Sequence, residues 1–245
     1  MKTNRYLITI LFIFATLLAS CNSILRVGEL QTESRSVELG DAKSVRVEVN
    51  FGAGNLDLVG GADKLLAADF KYNVARFKPD VEFTDSTLVV EQPDGIAIPL
   101  LTNVSDFRNE WNLHLSNKVP MDLSVNMGRA TSNLDLSGLS LNRLEVSLGA
   151  GASVIDLNDQ WKHDMDVTID TGAADITLQL PKDVGVQVQV GSAPTIIVAS
   201  GLTQEGNVYT NAAYGVSGVT MHITMEPGIG RISLEVADEA AAAQK

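Results

Sequence analysis

The chain is expected to form an all-β protein, a single-domain β-solenoid, on three observations. Strict apolar/polar alternation recurs from Val45 to the end, one strand–turn–strand unit repeats along the chain, and aromatics make up only 5% of the residues beside abundant Val, Leu, Ile and Gly. Alternation with a period of two marks half-buried strands, and β-branched side chains pack well on a pleated surface. The unit is a strand, a Gly/Ala turn and a second strand. Its instances are Val45–Leu58, Leu123–Leu136, Leu144–Leu157 and Met165–Leu178, with looser copies at Val186–Val198 and Val219–Val236. The turn glycines Gly128, Gly149 and Gly172 are 21 and 23 residues apart. A period of that length without helices points to stacked coils, each burying its neighbour's apolar side chains.

The alternation assigns faces. Val45, Val47, Val49, Leu56, Leu58, Leu123, Val125, Leu134, Leu136, Leu144, Val146, Leu148, Val167, Ile169, Ile176 and Leu178 are expected inside. Arg46, Glu48, Asp57, Asp135, Glu145 and Asp166 are expected in water, with Asp156 beside them on the outer face. Glycine at each corner, Gly149 among them, fits a turn that needs positive φ or a close backbone approach.

The solenoid is placed at residues 36–236, with an irregular half at 36–118 and regular coils at 119–236. Within the irregular half, Ser36–Leu39 reads as a first strand, Leu65–Tyr72 and Val81–Val90 as longer strands, and Pro93-Asp94-Gly95 as a loop. Gly201–Gly218 reads as a hairpin inserted between two coils, and residues 237–245 as a flexible tail.

The N-terminus carries an address. Lys2 and Arg5 precede an uncharged run of 13 residues, Tyr6–Leu18, and then the small residues Ala19 and Ser20. That order is a secretory signal, and the run is shorter than the roughly 20 residues a spanning helix needs. Residues 1–20 are therefore expected to be removed, leaving 21–35 as a tether. Leu18-Ala19-Ser20-Cys21 resembles a bacterial lipobox, which implies acylation of the Cys21 thiol with palmitate-like chains and retention on the membrane through the N-terminal lipid. Cys21 is the lone cysteine, so no internal disulfide holds the fold.

Charge narrows the partners. The whole chain has a formal net charge of −12, and without Lys2 and Arg5 it has 16 basic against 30 acidic residues, a net −14. Nucleic acid is an improbable ligand, because phosphate backbones require a basic footprint.

Motifs for other chemistry are weak. Gly52-Ala53-Gly54 and Gly149-Ala150-Gly151 have the spacing of a phosphate loop but lead into strand rather than a helix N-terminus. Asp57, Asp135, Asp156 and Asp175 recur after successive turns and, if stacked, would make an acidic ladder able to hold calcium; a solvated face explains them equally well. His114, His163 and His222 form no metal-binding pair, and no Gly-x-Ser-x-Gly elbow is present. No catalytic, cofactor or metal residue is assigned. Trp111 and Trp161 read as core or end-cap residues, whereas Tyr209 and Tyr214 in the hairpin could present an aromatic pair to glycan or protein.

The chain resembles the toast-rack family, β-solenoid domains of bacterial envelope proteins related to those of cell-wall-antibiotic response regulators and candidate adhesins. The resemblance covers about residues 30–236 and rests on Gln31–Ser34, Ser44–Gly54, Asp63–Phe70, Lys78-Pro79, Asn109-Glu110-Trp111, Val119–Val125 and the Gly-Ala-Gly coils that follow. It implies an extracytoplasmic location and this architecture, and supplies no catalytic residues. Together the residues and the resemblance point to a non-enzymatic binding, scaffold, sensor or adhesin module whose partner is an envelope protein or wall polymer. The alternative is a cryptic hydrolase acting on an envelope polymer, its triad assembled from distant positions.

Overall fold

The computed structural model describes residues 27–93 and 107–237. In chain order the strands are β1 (Gln31–Val37), β2 (Val45–Ala62), β3 (Leu66–Tyr72), β4 (Asp80–Thr84), β5 (Thr87–Glu91), β6 (Asn109–Ser116), β7 (Met121–Asp135) and β8 (Leu141–Asp156). They continue as β9 (Met165–Leu180), β10 (Gly185–Val190), β11 (Thr195–Ser200), β12 (Thr203–Glu205), β13 (Val208–Thr210), β14 (Thr220–Glu226) and β15 (Ile229–Val236). Apart from a 3-10 turn at Ala75–Phe77, the regular structure among the described residues is strand. All fifteen strands belong to one sheet.

The four long strands β2, β7, β8 and β9 each turn a corner midway, and the burial pattern shows where. In β2 the buried side chains are odd-numbered from Val45 to Ala53 and even-numbered from Leu56 to Ala62. In β8 they are even-numbered from Leu144 to Leu148 and odd-numbered at Ser153 and Ile155. One extra residue at the corner reverses the phase, so that both arms of each coil face one core.

First arms pair in the order β4-β5-β2-β7-β8-β9-β14-β10-β13-β12, and second arms in the order β1-β3-β6-β2-β7-β8-β9-β15-β11. Pairing is parallel from β5 and β6 through to β10 and β11, and antiparallel where β1, β3, β4, β12 and β13 close the ends.

Every residue assigned to the inside is buried, with Leu56, Leu58, Leu134, Leu136, Leu144, Ile169 and Leu178 fully so. Each such side chain contributes roughly 1.5–3 kcal/mol on removal from water. Where two polar residues face inward side by side, at Ser132 and Ser153, the hydroxyls satisfy each other at 2.7 Å. Trp111 lies at the N-terminal end of this core, edge-on to Phe51 and Phe70 at centroid distances of 5.0 and 5.3 Å.

The corners are where side chains are forbidden. Gly52, Gly128, Gly149, Gly172 and Gly228 form a column; a Cβ on Gly52 would meet the Gln92 side chain, and a Cβ on each of the other four would strike the carbonyl oxygen of the glycine before it. The separations would be 2.4 Å from Gly128 to Gly52, 2.6 Å from Gly149 to Gly128, 2.3 Å from Gly172 to Gly149 and 2.0 Å from Gly228 to Gly172. Positive φ belongs to different corner positions, Gly54 at +129°, Gly151 at +128° and Gly230 at +150°. Gly149 is thus required by close approach and not by φ.

Five expectations change. First, not all the apolar runs are in register as written: Leu56 lies opposite Ser132 and Leu144 opposite Val167, shifts of two residues, whereas Leu123 lies opposite Leu144 as written; the glycine column is aligned throughout. A two-residue slip keeps every side chain on its own face, which is why the inward assignments survive it. Second, the first strand is Gln31–Val37, so the tether expected at 21–35 gives way to strand at residue 31, where β1 is held against β3. Third, Val81–Val90 is a hairpin of β4 and β5, turned by Asp85 and Ser86 at positive φ of 52° and 64°; Asp and Ser are turn formers, and Asp tolerates this region. Fourth, the last coil in sequence is not the last in space, because β14 and β15 lie between β9 and the β10–β11 coil. Fifth, the hairpin of residues 201–218 is inserted between two coils in chain order as expected, but in space it extends the sheet beyond β10 through β13 and β12. Residues 1–26, 94–106 and 238–245, which include Cys21, most of the expected tail and part of the Pro93–Gly95 loop, lie outside the described residues.

The corner column generates a stability test. Gly149→Ala should lower the urea midpoint by the equivalent of about 2–3 kcal/mol, the size of an overpacked core. Gly218→Ala, where a Cβ meets nothing within 4 Å, should stay within about 0.5 kcal/mol of wild type. An unchanged midpoint for Gly149→Ala would contradict the close approach.

Candidate binding surface

Parallel in-register strands place outward residues of successive coils in columns. On the first arms, one column runs Arg46, Asp122, Arg143, Asp166 and His222, charges alternating strand by strand. The next runs Glu48, Ser124, Glu145, Thr168 and Thr224. Neighbouring strands are about 4.8 Å apart, so opposite charges meet across each ladder step and favour this register.

Ser124 is short, and the surface sinks around it into a groove of 290 Å³ lined by Arg46, Glu48, Asp122, Leu123, Ser124, Arg143 and Glu145. Arg143 is drawn to Glu145 at 3.7 Å, and further along the face Asn126 donates to Asn50 at 3.0 Å. The groove therefore presents guanidinium donors beside carboxylate acceptors over a hydroxyl floor. Such a surface can hold a polar partner bearing hydroxyls, carboxylates or ammonium groups.

A second hollow, of 430 Å³, opens at the N-terminal end of the corner beside Leu30, Gly54, Asn55, Asn73, Phe107, Arg108, Asn109 and Glu110. Its buried wall is structural. Asn109 Nδ2 donates to Ala53 O at 2.7 Å and to Gln92 Oε1 at 2.9 Å, while its Oδ1 accepts Trp111 Nε1 at 3.1 Å. These amides end the corner column, as Thr195 does at the far end by donating to Gly228 O at 2.7 Å. Sequence reading gave Gln92 no role and Asn109 none beyond the resemblance; an isolated amide carries no local signal of the carbonyl it will meet.

The recurring aspartates do not form a ladder. Asp57 lies between Asn112 and Asn133, Asp135 beside Asp156, and Asp175 between Ala152 and Arg231. No group of three or more metal-ligating side chains occurs among the described residues. Most of these carboxylates serve the backbone instead. Asp135 accepts Ser137 N at 3.2 Å, Asp156 accepts Asn158 N at 2.9 Å, and Asp175 accepts Arg231 N at 2.9 Å. Asp135 and Asp156 close turns after their strands in the way Asx residues do. Asp156, expected on the outer face, is instead buried.

The other candidates fall as follows. His114 lies on β6, His222 on β14, and His163 in the connection between β8 and β9, all three exposed. Trp111 is fully buried, and Trp161 is buried with its Nε1 donating to Leu157 O at 2.9 Å. The aromatic pair expected in the hairpin is not a display: Tyr209 is buried against the core, and the hydroxyl of Tyr214 accepts Gln187 Nε2 at 2.7 Å.

Three variants test these assignments in unfolding experiments. Asn109→Ala strips partners from three buried polar groups and should cost about 2–4 kcal/mol. Asp156→Ala should cost about 1–2 kcal/mol by the loss of its turn bonds, and Asp57→Ala on the exposed face under about 0.5 kcal/mol. Equal effects for the two aspartates would remove the distinction.

Residues 26–179 match the family model described as the N-terminal domain of toast_rack, DUF2154. Among solved structures, a candidate cell adhesion protein from Clostridium sporogenes is 29% identical, with a TM-score of 0.80 over 85% of this chain and 100% of its own. A candidate adhesin from Bacteroides fragilis is 12% identical, with a TM-score of 0.33 over 84% of this chain and 97% of its own. One from Parabacteroides distasonis is 10% identical, with a TM-score of 0.30 over 86% and 98%. No curated protein matches the chain significantly. The family match spans more than half of the sequence and the coils that carry the groove, and the chain belongs to the toast-rack N-terminal domain family.

Proposed function

We propose that this protein is a lipid-anchored, extracytoplasmic binding module that works without catalysis, as an adhesin or scaffold holding an envelope protein or wall polymer on its first-arm face. The observation that carries the reading is the likeness, over that structure's whole length, to the Clostridium cell adhesion candidate. The groove around Ser124 supplies the contact chemistry, with arginines for carboxylates and glutamates for hydroxyls or amines. The signal-like residues 1–20 and Cys21 supply the anchor. Two or more acyl chains hold a protein stably on a membrane, and a rigid sheet then presents its face at a fixed distance from it. Among the described residues no helix is long and apolar enough to cross a bilayer.

Both halves of the reading are open to test. Cells given a labelled fatty acid should label wild type and leave Cys21→Ser unlabelled; equal labelling of the two removes the anchor. Retention on isolated wall polymer or envelope protein should fall at least about tenfold in the double variant Arg46→Glu, Arg143→Glu, equivalent to about 1.4 kcal/mol. Retention unchanged in that variant would move the contact off this face.

A further inference from the structure

Among the described residues four strands end the sheet, because β1, β4, β11 and β12 each pair there on one side only. An open edge is a template for another strand, and proteins commonly blunt it with charge. Three of the four edges are blunted: β1 carries Glu33 and Arg35 as an ion pair, β4 carries Asp80 and Glu82, and the three-residue β12 carries Glu205. The fourth, Thr195-Ile-Ile-Val-Ala-Ser200, carries no charge, and its outward side chains Ile196 and Val198 are 58% and 46% exposed.

We infer that β11 is a self-association edge, and that its occupant is the β11 strand of a second copy of this chain, paired antiparallel about Ile197. A two-fold axis normal to the sheet there sets Ile196 against Val198 of the second copy and the reverse, on one face. The two apolar side chains that each chain leaves in water are then shared in one patch of four. Charge favours this edge for self-contact: a chain of net −12 repels its copy over most approaches, and β11 brings no charge of its own to the junction. Pro194 bounds the pairing at the N-terminal side, since it has no N–H to give.

Position in the stack adds a direction. β11 and β1 are the two ends of the nine-strand second-arm layer, eight steps or roughly 40 Å apart at the strand spacing. Residues 1–26 lead into the β1 end. Pairing through β11 therefore sets the two β1 strands at opposite extremes of the dimer, the geometry of a bridge between facing surfaces. Edges of six residues bury less than the standard interface, so the contact belongs to the weak, transient class.

The described strands share one hydrophobic core, and the Clostridium chain, which aligns over its whole length with 85% of this one, has been crystallised, so residues 22–245 serve as the chain to test. Sedimentation velocity from about 10 μM to about 1 mM should show a monomer–dimer equilibrium within that range. The double variant Ile196→Lys, Val198→Lys should weaken it at least about tenfold with the strand dichroism kept, whereas Arg35→Ala on the β1 edge should leave it within about twofold. Spin labels give a readout that does not depend on the lysine variant folding: labels at Ala199 should couple at short range across the dimer, and labels at Ser34, roughly 80 Å apart by the same spacing, should not. A monomer throughout, a dimer indifferent to the lysines, or coupling at Ser34 in place of Ala199 overturns the proposal. The outcome is independent of Cys21, which this chain lacks, and of polymer retention by Arg46 and Arg143.

Discussion

At the inner corner of every coil, the backbone of one turn lies so close to the next that no Cβ can stand between them. The rest of the structure depends on that contact. Gly128, Gly149 and Gly172 each sit over the carbonyl of the preceding glycine, and only with these positions empty can both arms of a coil hydrogen-bond their neighbours in parallel register. Once the register is set, the inward columns of Leu, Val and Ile meet and the outward columns take their order. The column must also end somewhere, and at both ends a side chain takes the place of a further glycine: Asn109 donates to Ala53 O and Thr195 to Gly228 O.

This dependence explains which parts of the fold are legible in sequence. Alternation is local, so the inside and outside of Val45–Leu58 or Leu144–Leu157 can be read directly, and parity makes that reading immune to a two-residue slip. The glycine spacing carries the register better than the apolar run does, because sterics at the corner tolerate no alternative. Pairing order is long-range and leaves no local trace, which is why the intrusion of β14 and β15 beside β9 is invisible along the chain. The β4–β5 turn was missed for a different reason: Asp85-Ser86 lacks the glycine that ordinarily announces such a hairpin.

The candidate surface was half legible. Arg46, Glu48 and Glu145 are assigned to water by alternation alone, but their assembly around Ser124 needs three coils in register. The aspartates show the reverse error, in which a true periodicity invites a metal although its cause is the geometry of coil ends. A residue recurring after each turn is recurring because the turn recurs; Asp135 and Asp156 accept backbone N–H groups at the same place in successive coils. Buried amides such as Asn109 and Asn211 complete the accounting. Asn211 donates to Pro181 O and Val184 O and accepts Val186 N, tying the hairpin connection to the turn before β10.

The placement of the last coil also orders events during synthesis. A chain emerging from its N-terminus can stack β2, β7, β8 and β9 as each appears, but β9 receives its lasting neighbour only when residues 220–236 have emerged. Until then the β10–β11 segment is complete and has no native place to dock, because its partners β14 and β15 come later in the chain. Closure is thus a late, non-local step of the kind that slows folding, and the young protein passes through a stage with an unpaired parallel edge at β9. A chain shortened before residue 220 would be held at that stage, its strands formed and its stack unable to finish.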